Sequence, residues 1–109
     1  MGNSLAVLRE FPQPVREEMG YALYLAQVGG KHPNAKPLKG LGSGVLEVVS
    51  DHRGDTYRAV YTVRLVGKIY VLHAFQKKSK RGIRSPKAEI DLVKQRLKRA
   101  MKLHATQEV

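Results

Sequence analysis

Six cations fall within residues 77–87: Lys77, Lys78, Lys80, Arg81, Arg84 and Lys87. They follow directly on an apolar stretch, Val71-Leu72-His73-Ala74-Phe75. Like charges repel, so such a cluster gains nothing by itself. It is either a solvated segment or the seat of something anionic. Arginine supplies a planar fork and lysine a compact charge, and the two together suit phosphate. Arg58 lies on a neighbouring strand pattern. With Lys77, Lys78 and Arg81 at nearby strand positions and ends, it predicts a phosphate-binding concavity.

His73 sits between Leu72 and Ala74. An imidazole there could move protons or contact phosphate, or it could be a satisfied, half-buried structural group. Residues 69, 71, 73, 75 and 77 would share one face by the period of two. Arg53 belongs to the hairpin pattern "SDHRGD", where an arginine is commonly exposed. Tyr57, Tyr61, Tyr70 and Phe75 are interleaved with the cations. An exposed one could stack a base, although core packing is the commoner use. The four histidines share no ligand spacing, the acids are scattered and cysteine is absent. Neither a metal site nor a cofactor is expected. "KGLGSG" lacks the GK[ST] of a P-loop and a preceding strand.

The net charge is +11 over 109 residues. Residues 73–109 carry 11 Lys/Arg and three acids, against nine and six in residues 1–72. An excess concentrated in the last third points to nucleic acid, an anionic membrane or an acidic protein partner. No apolar run approaches the ~20 residues of a membrane span. "MGNSLAVLREFPQP" has neither the basic start nor the apolar length of a signal peptide. Together with the lack of cysteine this predicts a cytoplasmic protein, not bound to a membrane.

The elements that must position these groups follow from periodicity. Val15, Met19, Ala22, Leu23 and Ala26 form one apolar helical face, with Glu17 and Glu18 in the first turn and Gly29-Gly30 as the stop. Residues 31–44 read as a loop. "VLEVVS" (45–50), "TYRAVYTVRL" (56–65) and "KIYVLHAFQK" (68–77) read as three strands of an antiparallel meander. In the second, Tyr57, Ala59 and Tyr61 share one face, and Arg58, Val60 and Thr62 the other. "LAVLREF" (5–11) could add a short fourth strand. Ser85-Pro86 reads as the start of a second helix with Ile90, Val93, Leu97, Ala100 and Met101 inward. The length fits a single domain, 1–109. The expected class is α+β, a small antiparallel sheet of three to four strands with an N-terminal and a C-terminal helix packed on one face.

"GDTYRAVYTV", then "KIYVLHAFQKKSKR", then "SPKAEIDLVKQRLKR" together resemble the RelE/HigB superfamily of type II toxin–antitoxin toxins. The likeness is greatest to its phage-derived RelE-like branch, in which a YR-x-x-Y strand precedes LHAF-x-KK and a P-x-x-E-I helix. It spans roughly residues 7 to 103. The resemblance implies a RelE-like toxin domain and a metal-independent endoribonuclease, an mRNA interferase that inhibits translation at the ribosome. It also implies a cognate antitoxin, expected to be a helix-turn-helix DNA-binding protein. Arg58 matches the family's strand arginine, Lys77 and Lys78 its basic pair, and Arg81 a further basic position. These residues are expected to be catalytic or to stabilise charge. Arg53, Lys80, Arg81 and Arg84 are expected to hold RNA. The strand "VLEVVS" lacks the lysines that some members carry there. The proton-moving group is then Glu47 or His73, with Glu47 alternatively a structural partner of an arginine. Two other readings are a ParE-like toxin that inhibits a topoisomerase by binding, and a non-catalytic RNA-binding module.

The charge distribution sets the first prediction. RNA affinity should fall by orders of magnitude between low salt and salt above physiological, because each neutralised phosphate releases counterions. Filter binding or fluorescence anisotropy across a salt series checks this, and a flat dependence would contradict it.

Overall fold

Residues that alternate between two buried faces build the centre of this fold. The computed structural model describes residues 3–42, 44–63, 68–77 and 87–107. Its elements are helices α1 (Ser4–Arg9) and α2 (Gln13–Gln27), strands β1 (Ala35–Pro37), β2 (Val45–His52), β3 (Asp55–Thr62) and β4 (Tyr70–Lys77), and helix α3 (Lys87–Gln107). The strands form one antiparallel sheet in the order β1-β2-β3-β4. The class is α+β, as expected.

Three element boundaries depart from the expectation. Residues 5–11 do not form a strand, because Ser4–Arg9 is helical. The fourth strand is β1, which lies inside the segment read as loop; three residues ending in proline are too short to carry a periodic signal. Helix α2 begins at Gln13 behind Pro12, with Pro14 in the first turn, so Glu17 and Glu18 lie past that turn. The Ser85-Pro86 start of the last helix and the Val66-Gly67 turn lie outside the described residues.

Helices cover both faces of the sheet, not one. Tyr57, Ala59 and Tyr61 of β3 join Val48, Ala74 and Ala35 in a core closed by Val15, Met19, Ala22 and Ala26 of α2 and by Phe11. Val60 faces the other way, with Val45 and Leu72, under Val93, Leu97 and Ala100 of α3. Burying each Val, Leu or Met side chain among these stabilises by roughly 1.5–3 kcal/mol. Phe11 and Tyr57 meet in a tilted ring pair, 4.9 Å between centroids.

Two local features set which residues share a face. Register His52↔Asp55 leaves Arg53 and Gly54 as a two-residue loop, both with positive φ (51° and 86°), the backbone of a tight hairpin turn. On the other side of β3 the pairing runs Val60↔His73 and then Tyr61↔Val71, so β4 bulges at Leu72. The bulge splits the run expected to share one face. His73 and Phe75 lie across from Val60 and Arg58, whereas Val71 lies across from Tyr61, and Ile69 packs on the α2 side.

Tyr61 is fully buried, and its hydroxyl has no hydrogen-bond partner among the described residues. Burial pushes its pKa above the ordinary 10.0. The folded state therefore holds the neutral phenol, and this contribution to stability is complete below pH 10.0 and lost as pH rises through the folded-state pKa. Tyr61→Phe should stabilise the fold by about 1 kcal/mol at neutral pH, since a stranded buried donor is removed. It should also flatten the alkaline loss of stability. Urea denaturation at neutral and alkaline pH measures both effects.

Candidate nucleic-acid cleft

Arg58 stands on the central strand β3, opposite Val49 of β2 and Phe75 of β4, on the α3 side of the sheet. A guanidinium in that position is taken out of water, so it needs an anion and hydrogen-bond acceptors. Glu47 supplies them. Two residues from Val49 along β2, it projects from the same face, and its Oε1 accepts a 2.8 Å hydrogen bond from Arg58 Nη1. Both side chains are almost wholly buried, 7% and 12% exposed. In this structure Glu47 is the partner of an arginine, as one of the two expectations for it had it.

Among the described residues, helix α3 covers this face at the Val45–Val60–Leu72 end and not at the hairpin end. There an open cleft of about 690 Å³ is lined by Glu18, Asn34, Lys36, Glu47, Val49, Asp51 and Arg58. Asp51 accepts a hydrogen bond from Thr56 Oγ1 (2.9 Å), and Glu18 accepts one from Asn34 Nδ2 (3.2 Å). Lys36 is exposed on the edge strand β1, directly across from Glu47. The cleft thus presents two cations, three carboxylates and an amide beside a single apolar side chain, Val49, which suits a polar, charged ligand.

His73, on the same face of the sheet, is engaged from helix α3. Arg96 of α3 donates from Nη1 to His73 Nδ1 (3.2 Å) and to the Leu72 carbonyl (2.9 Å), and its fork also reaches Ser4 Oγ and Asn3 Oδ1. Arginine only donates, so Nδ1 accepts, and in the neutral ring the hydrogen sits on Nε2. That nitrogen lies 3.2 Å from Glu89 Oε2, at ion-pair distance though off the line of a hydrogen bond. The ring also stacks on Phe75, 5.1 Å between centroids. Helix α3 thus holds His73 through Nδ1 and sets a carboxylate beside Nε2.

The structure therefore pairs Arg58 with Glu47 and places His73 on the same face, across Val60 from Glu47. Lys77 ends β4, paired with Thr56 two positions from Arg58. Arg53 occupies the β2–β3 turn, exposed and away from the ion pair. Lys78, Lys80, Arg81 and Arg84 lie outside the described residues. Sequence reasoning missed Lys36 and Arg96. Lys36 gave no signal, since a three-residue strand has no readable period. Arg96 could have been found: it lies three residues after Val93 and beside Leu97, on the flank of the buried helix face, where a cation must find acceptors. Among the described residues no group of three or more His, Cys, Asp or Glu is placed to hold a metal ion, and no helix is long and apolar enough to cross a membrane.

Residues 6–98, which include the whole sheet and the Arg58–Glu47 pair, match the family model described as phage derived protein Gp49-like. The chain belongs to that family, a RelE/HigB-like family of toxins. No curated protein and no solved structure matches the chain.

The ion pair yields a stability prediction. Glu47→Ala leaves the buried Arg58 charge without its carboxylate and should cost about 3–5 kcal/mol. Glu47→Gln, which keeps an acceptor, should cost less. Denaturant titration of both variants provides the comparison.

Proposed function

We propose that the protein is the toxin of a type II toxin–antitoxin pair and acts as a metal-independent mRNA endoribonuclease. The observation that carries this reading is Arg58, held by Glu47 on a rigid central strand at the floor of an open cleft. Beside it β4 ends at Lys77 and leads into the cations of residues 78–84. In this reading the RNA strand enters the cleft and the scissile phosphate takes the guanidinium fork of Arg58. The 2′-hydroxyl adjacent to it attacks phosphorus, and the bond to the 5′-oxygen breaks, leaving a 2′,3′-cyclic phosphate and a 5′-hydroxyl whose proton comes from water. Lys77 and Lys78 stabilise the additional negative charge of the transition state. Glu47, next to that phosphate position, receives the hydroxyl proton, while His73 keeps β4 in place from the α3 side. Lys80, Arg81, Arg84 and Arg53 add attraction along the strand, and the ribosome presents the mRNA. A cognate antitoxin with a helix-turn-helix would hold the toxin in check, with acidic groups matched to the cationic third of the chain.

A guanidinium that is preorganised for the transition state contributes about 10²–10³ in rate. Lysine keeps the charge and the pairing with Glu47 but loses the fork. Arg58→Lys should therefore remain folded by circular dichroism and lose about 10²-fold or more in mRNA cleavage. Growth arrest on induction and mapping of new mRNA 5′ ends are the readouts. A folded Arg58→Lys protein that cleaves at the normal rate would sink this site. Toxicity without any new 5′ ends would instead favour inhibition by binding.

A further inference from the structure

We infer that Tyr21, Glu18 and Asn34 form a nucleobase subsite at the edge of the cleft, which takes a base with an exocyclic amino group in preference to uracil. This rests on the proposed RNA-cleaving function and gives that site a base to read. The cleft is lined by three carboxylates, Glu18, Glu47 and Asp51, and by two cations, Arg58 and Lys36. Glu47 is engaged by Arg58. Glu18 and Asp51 repel phosphate, so what an RNA strand lays along them is its bases. Unstacked bases present N–H groups on their edges, and an ionised carboxylate is an acceptor only.

A base also needs a face to stack on. Tyr57, Tyr61 and Phe75 are buried and offer none. Tyr21 is 54% exposed and stands three residues after Glu18 on α2, so the two side chains are neighbours on the helix surface. Its ring is already oriented. It meets His32 edge-on, 5.7 Å between centroids and 81° between planes. His32 is buried, and its Nδ1 accepts a 3.0 Å hydrogen bond from the backbone N–H of Asn34. Asn34 Nδ2 in turn donates to Glu18 Oε2 (3.2 Å). Ring, amide and carboxylate are thus joined in one circuit, and two of its members line the cleft. Tyr24 lies nearly parallel to Tyr21, 17° between planes, and extends the aromatic surface. A base stacked on Tyr21 turns its edge to Glu18, which Asn34 holds in place. Adenine, cytosine and guanine bring an amino group there. Uracil brings a single N–H between two carbonyls, which a carboxylate repels.

The test is binding of oligo(C) and oligo(U) of equal length, both 2′-O-methylated so that neither can be cleaved. They match in charge and ring size and differ at the pairing edge. The unaltered protein should bind oligo(C) about tenfold more tightly, the size of one hydrogen bond to a charged group. Glu18→Gln, whose amide can turn either way, should shrink that ratio to about threefold or less. Tyr21→Leu should weaken both oligonucleotides about tenfold and keep their ratio, because every base has a face to stack. Tyr21→Phe, which retains the ring, should restore both, with circular dichroism unchanged throughout. Equal affinity for the two oligonucleotides, or a preference that survives Glu18→Gln, overturns the reading of the base edge. Normal binding by Tyr21→Leu overturns the stacking platform and assigns the exposed tyrosines to a protein partner instead. Failure of the unaltered protein to bind either oligonucleotide overturns both the subsite and the proposed function. The expected pattern of binding without cleavage of an unmodified RNA upholds the subsite and overturns the nuclease alone.

Discussion

An arginine on a strand that is covered on both sides must bring its counter-charge with it. β3 is such a strand: Tyr57, Ala59 and Tyr61 are sealed under α2, and Val60 under α3. Arg58 sits between them and is only 6% exposed. Its charge is tolerable there because β2 carries Glu47 on the same face, one diagonal step away. That requirement ties the register of β2 to that of β3. A slip of one residue would turn Glu47 to the opposite face and leave both charges in apolar surroundings. The pair is thus a device for specifying one pairing of strands as much as a source of stability.

The same face of the sheet is divided by what covers it. Where α3 lies, aliphatic side chains interdigitate and the face is core. Beyond its reach, towards the Arg53-Gly54 turn, the side chains become polar and the surface opens. The bulge at Leu72 sharpens this division. It turns Leu72 and His73 towards α3 while returning Val71 to the α2 side, so that one short strand serves both cores. Recognition can then be built on a strand whose backbone is fixed by packing a few residues away.

Much of this was legible in the residues. The alternation in 56–62 identified both faces of β3, and the apolar stripes Val15–Ala26 and Ile90–Ala100 identified the two long helices. Pattern could not reveal that the two helices cover opposite faces, because periodicity says which side of an element is apolar and not which layer it meets. β1 was illegible for want of length. "LAVLREF" misled because a six-residue helix and a short buried strand have the same apolar density. The bulge broke the arithmetic of β4, since a single extra residue inverts every later assignment to a face. For the cleft, residue type was enough to single out Arg58 and Glu47, but their union is a tertiary fact, and Lys36 and Arg96 depend on contacts between elements distant in the chain.

The fork of Arg96 joins residues 3 and 4 to residues 72 and 73 across a sequence separation of up to 93. These bonds cannot form until residue 96 has been made. Closing so long a loop costs little more in equilibrium entropy than closing a shorter one, but contacts of this range slow folding. On the ribosome, β2, β3 and the Glu47–Arg58 pair can assemble first, and the sheet waits for α3 to seal its second face. Translation order thus separates the making of the cleft's floor from the completion of the molecule. A nascent chain carries the pieces of the site well before it has the rigidity to use them.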